Sequence, residues 1–124
     1  RALAVAPGGG LLAVAGEKGA CVLVGLPDGS LLRRLDAHRA PVNAVAFTPD
    51  GQRLITGCGA ALDSISAAPD CAVRVLDPAT GEVQVRIELF AMVSSVSLAP
   101  DQTLVVAANG PRILRYRLDG TQRD

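Results

Sequence analysis

Side chains that could carry chemistry are few and scattered. His38 is the only histidine, and the cysteines Cys21, Cys58 and Cys71 include no C-x-x-C pair. Nucleophilic catalysis needs a Ser, Thr or Cys held against a base that a third group orients. No such set surrounds His38, so no catalytic residue is expected. One histidine and three cysteines without ligand spacing do not build a zinc site, and no metal or cofactor is expected. Asp28, Asp50, Asp77, Asp101 and Asp119 each stand beside Gly or Pro. There an Asp side chain bonds the local backbone and shapes a turn. None lies in the dense array of oxygens that a calcium loop requires. Gly8-Gly9-Gly10 lacks the Lys-Ser/Thr of a phosphate loop and reads as a turn between apolar segments.

The elements that would position these residues follow from composition. Hydrophobic residues are 49% of the 124, aromatic ones only 2%, with no Trp. The core is therefore aliphatic, and β-branched side chains pack well on a pleated surface. The 13 Gly and 8 Pro spread along the chain mark many turns between short strands. Length allows one domain, not two. Twelve basic and twelve acidic residues balance without a basic stripe. Arg112, Arg115, Arg117 and Arg123 are too few and too separated to make one, so nucleic acid is not an expected partner. No apolar run approaches the roughly 20 residues that span a bilayer, and no membrane association is expected. The chain opens at Arg1 without a secretory signal pattern, which reads as an excised or processed piece. The odd cysteine count favours a reducing, intracellular and cytoplasmic setting.

A repeat organises the whole chain. Residues 2–16, 42–57 and 93–108 share one pattern: an apolar strand, a Pro-centred turn and a second apolar strand. The turn prolines Pro7, Pro49 and Pro100 lie 42 and then 51 residues apart. A second turn recurs at 27–30, 77–81 and 119–121. The unit is strand, turn, strand, loop, strand, turn, strand, over a period matching the roughly 40–45 residues of a four-stranded propeller blade. Strands are expected at 2–6, 11–15, 21–25 and 31–35; at 42–47, 53–56, 72–76 and 83–87; and at 93–98, 104–108 and 113–118. Blade one then covers about 2–37, blade two about 38–88 and blade three about 89–124, lacking its last strand. The longer second period comes from the loop 58–70, and only 63–68 within it suits a helical turn.

Blade two resembles a WD repeat. His38, Val42, Val45, Phe47 and Pro49-Asp50-Gly51 follow the spacing H-x3-V-x2-V-x-F-x-P-D-G. Residues 70–77, Asp-Cys-Ala-Val-Arg-Val-Leu-Asp, are similar to the family's D-x-T-I-R-I-W-D ending, with Leu76 where Trp is usual. The resemblance implies an all-β fold of four-stranded antiparallel meander sheets arranged as β-propeller blades. Just under three blades make it incomplete, because closure takes typically 4–8. It also implies a structural hydrogen-bonded chain through His38, Thr56 and Asp70, since polar groups buried between blades must be paired. Leu76 has no N–H with which to complete it.

Function follows from the resemblance: a non-catalytic scaffold for protein–protein interaction within a multiprotein complex, the remaining blades coming from the parent chain or other copies. The alternative is a segment of an enzymatic propeller of lactonase-like or dehydrogenase-associated type, which residues 104–109 in blade three also resemble. Loops carry function more often than scaffolds do. Leu62 and Ile65 in the loop 58–70, with Phe90 and Met92 in the apolar link after blade two, are the expected docking patch. Arg115 and Arg117 are expected on the strand face where blade two places Val73 and Val75, as suits an end blade with a solvated outer side.

Overall fold

The computed structural model describes residues 2–15, 20–26, 28–36, 42–58, 72–88, 93–99, 101, 103–108, 112–118 and 121–123. They form twelve strands in three antiparallel sheets. Blade one holds β1 (Ala2–Val5), β2 (Leu11–Ala15), β3 (Ala20–Gly25) and β4 (Leu31–Asp36). Blade two holds β5 (Val42–Phe47), β6 (Leu54–Cys58), β7 (Ala72–Leu76) and β8 (Val83–Glu88). Blade three holds β9 (Val93–Leu98), β10 (Leu104–Ala108), β11 (Arg112–Tyr116) and β12 (Gln122–Arg123). Each sheet is a simple meander, with every strand paired to the next in sequence. The first strands β1, β5 and β9 pack side by side, so the sheets fan out from a common inner edge.

Turn chemistry sets the meander. Asp28, Asp50, Asp77 and Asp101 each accept a hydrogen bond from the backbone N–H two residues on, at 3.3, 3.0, 2.8 and 3.0 Å. That is the local turn role expected of them; Asp119 lies outside the described residues. At Pro49-Asp50-Gly51 the buried Thr48 hydroxyl donates to Asp50 Oδ1 at 2.6 Å and accepts from the Arg53 N–H at 3.1 Å. Gly51 takes a φ of 71°, which L side chains rarely adopt.

Two cores lie between the blades, because alternate residues of a strand point to opposite faces. Ala13, Ala15, Cys21, Leu23 and Leu35 of blade one meet Val42, Val45, Leu54 and Leu76 of blade two. The reverse face of blade two, with Ala44, Ile55, Val73, Val75 and Ile87, meets Val93, Val96, Leu104, Val106 and Tyr116 of blade three. Blade two is thus buried on both faces, and β6 and β7 are buried at every residue. A bulge in β5 steps the register from Val42↔Cys58 to Ala44↔Gly57. At the bulge Asn43 donates from Nδ2 to the Val93 carbonyl at 3.0 Å, tying the inner strands of blades two and three.

The structure departs from the sequence pattern in three places. Blade three does have a fourth strand, β12, pairing Gln122 with Tyr116 and Arg123 with Arg115. The pattern missed it because two polar residues show no alternation. β6 runs two residues past its expected end, since Gly57 and Cys58 still find partners in β5. Arg115 pairs with Val105 as Val75 pairs with Ile55, so it takes the place of Val75, and Arg117 falls beyond the strand. The expected alignment slipped by two residues, which preserves the face: Arg115 is exposed. The 63–68 helical turn lies outside the described residues.

Candidate functional site

Of the expected structural chain, Thr56 is described and fully buried, on the blade-two face turned toward blade one and between Val45 and Arg74 in the register. His38 and Asp70 lie outside the described residues, as do the expected docking residues Leu62, Ile65, Phe90 and Met92. Cys21 and Cys58 are buried, as small apolar residues are. Burial pushes the Cys21 thiol up to about 11, which keeps it a thiol at neutral pH. Cys71 is outside the described residues. The Thr48 hydroxyl, with the Gln52 N–H, holds the exposed Asp50 carboxyl below its ordinary value.

Three described surfaces remain open. The first is the outer face of blade one. The registers Leu3↔Val14, Val5↔Leu12, Leu12↔Val24, Val14↔Val22 and Val24↔Leu31 place seven aliphatic residues on one side of the sheet. Leu3, Val5 and Leu31 are 67%, 58% and 67% exposed, and the other four are half-buried. A large contiguous apolar surface marks an interaction site. Its counterpart, the outer face of blade three, presents exposed Ser95, Ser97 and Arg115 with Ile113. The two ends of the fan therefore differ in chemistry.

The third surface is a cleft of about 480 Å³ between blades one and two, at the end where the strand-joining turns lie. Leu11, Leu23 and Leu32 come from blade one, and Gly51, Gln52, Asp77, Pro78 and Ala79 from the two turns of blade two. The blades are joined beside it. Arg33 Nη1 donates to the Thr80 carbonyl at 3.3 Å, and a Cβ on Gly81 would stand 3.0 Å from Leu35 Cδ2. Open blades are expected to leave apolar faces, but sequence pattern did not place one on blade one, and it missed the cleft. The signal for the face was present, since 11–15 and 21–24 are apolar at every position, as in strands covered on both sides. Nothing in the sequence announces the cleft, whose Arg33 and Asp77 belong to different repeats.

Residues 29–77 match the family model described as WD domain, G-beta repeat. The matched span runs from the turn before β4 through β5, β6 and β7. The matched span therefore begins on the last strand of one blade and ends on the third strand of the next, and over those residues the chain is similar to a WD repeat. No curated protein matches the chain. Among solved structures, the chain is similar to the Cps50 (Swd1) β-propeller domain of Myceliophteria thermophila, with 16% identity and a TM-score of 0.80. That match covers 97% of this chain and 36% of the other, so this chain has the propeller fold over about a third of such a structure's length.

Proposed function

We propose that the chain, three blades of a WD-repeat propeller, is a non-catalytic scaffold segment that binds protein partners within a multiprotein complex. The apolar outer face of blade one carries this reading. Blade two shows what such a face is for: its two aliphatic faces are each covered by a neighbouring sheet. Blade one exposes an equally aliphatic face, which points to further blades of a parent propeller lying against it. The proposed setting is intracellular and cytoplasmic. Partner docking is assigned to Leu62, Ile65, Phe90 and Met92, on the loop and link where blade two departs from the repeat.

Two experiments test it. Sedimentation of the chain should show concentration-dependent self-association, which Leu3→Glu with Val5→Glu reduces. A strictly monomeric chain with both residues intact would count against an unmet blade face. Ile65→Asp with Phe90→Asp should abolish capture of partners by the tagged chain from cell extract. Unchanged capture would remove the docking assignment.

A further inference from the structure

We propose that the cleft between blades one and two is a docking groove for a short extended peptide of a partner protein, one that seats an aliphatic side chain between charged neighbours. The proposal rests on the scaffold reading and names a second surface for it, on the turn side of the sheets.

The groove has an apolar floor and a polar rim. Leu23 is buried, Leu11 half-buried and Pro78 buried, while Leu32 stands 60% exposed at the opening. An isolated surface leucine means little, but this one extends a floor that is already apolar. Three polar side chains stand around that floor with capacity to spare. Among the described residues, the Arg33 guanidinium makes one hydrogen bond, the long one to Thr80 O, and retains most of its five N–H donors. Asp77 Oδ1 accepts from the Ala79 N–H, which leaves Oδ2 and further lone pairs. Among the described residues, the Gln52 carboxamide makes no hydrogen bond, so a donor and an acceptor are both available.

Charge complementarity selects the occupant. A lone anion drawn to Arg33 would also meet the Asp77 carboxylate, and a lone cation the reverse. A ligand carrying both charges with an apolar group between them satisfies the rim and covers the floor. An extended peptide with an acidic residue, an aliphatic one and a basic one has that order of chemistry. Its backbone N–H and C=O groups match the two ends of the Gln52 amide. The acidic side chain meets Arg33, where a carboxylate fits the planar guanidinium fork.

The test uses a phage-displayed random peptide library selected on the full chain. Selected peptides should carry an aliphatic residue flanked by an acidic one. Arg33→Glu should weaken them by about ten- to a hundredfold, as expected for loss of a hydrogen bond to a charged group. Exchanging the peptide's acidic residue for Lys should restore binding to Arg33→Glu and not to the unaltered chain. Leu32→Asp should weaken every selected peptide. Both residues are exposed, so a retained cooperative melting transition verifies the fold. Recovery of no peptide would overturn the groove. So would peptides indifferent to Leu32→Asp and Arg33→Glu, although these would leave the scaffold reading standing. Failure of that reading is seen separately, in loss of partner capture by the unaltered chain.

Discussion

Replacing Gly57 with Ala tests how tightly blades two and three are stacked. A Cβ there would lie 2.5 Å from Val93 Cγ1, 3.2 Å from Val93 Cβ and 3.4 Å from Val96 Cγ1. Carbon atoms rest about 3.5–4.0 Å apart, so roughly 1 Å must be found. Val93 is fully buried, and the Val96 methyl crowds the added Cβ as well. Moving β9 as a whole would stretch the 3.0 Å bond from Asn43 to the Val93 carbonyl. Overpacking of this kind costs about 1–3 kcal/mol, and the strained hydrogen bond adds about 0.5–1.5 kcal/mol. Alanine's stiffer unfolded chain gives back about 0.4–1 kcal/mol. The net destabilisation is about 0.5–4 kcal/mol, read as a lower urea midpoint at unchanged slope.

The companion variant is Val93→Ala, which opens the space that the new methyl needs. Alone it destabilises by leaving a cavity. Combined with Gly57→Ala it should yield a chain more stable than Gly57→Ala alone, a coupling of about 0.5–3 kcal/mol. If Gly57→Ala left the midpoint unchanged, or if the two effects simply added, the close approach would not govern the stacking.

Two further outcomes follow from the ionisable groups. Asp50 is held below its ordinary value by Thr48, so the stability it contributes is present above about pH 4 and lost as pH falls through its lowered value. Asp50→Asn should therefore make the acid side of a stability-against-pH curve shallower, and an unchanged slope would remove the Thr48 contact as the cause. Cys21, pushed up by burial to about 11, should resist iodoacetamide at pH 8 in the folded chain and react in urea. Labelling at equal rates in both conditions, followed on the Cys21 peptide by mass spectrometry, would contradict its burial.

What could be foreseen was whatever is encoded locally. Largely apolar runs of four to six residues between Pro, Gly and Asp turns placed eleven strands, because turn residues act within a few positions of themselves. Asp50 and Gly51 close their own turn, and the spacing that revealed them is the spacing that works, whereas the Thr48 hydroxyl that completes the turn carried no signal of its own. Arg115 was placed on the right face in the wrong register, because a slip of two residues preserves strand parity. The bulge at Asn43 left no mark, being an irregularity of pairing and not of pattern. The Arg33–Asp77 cleft was out of reach altogether, since it exists only once one blade lies upon another.

The unlike ends of the fan set a direction for assembly. Blade one offers aliphatic residues, while blade three offers Ser95, Ser97 and Arg115 around Ile113. Head-to-tail stacking of copies would press serines and an arginine onto leucines and valines, so an open-ended filament gains little at each step. Two copies meeting through blade one bury like against like about a twofold axis, and that contact is exhausted at two. Between copies of this chain, the described residues of the two outer sheets thus favour contact through blade one over head-to-tail stacking.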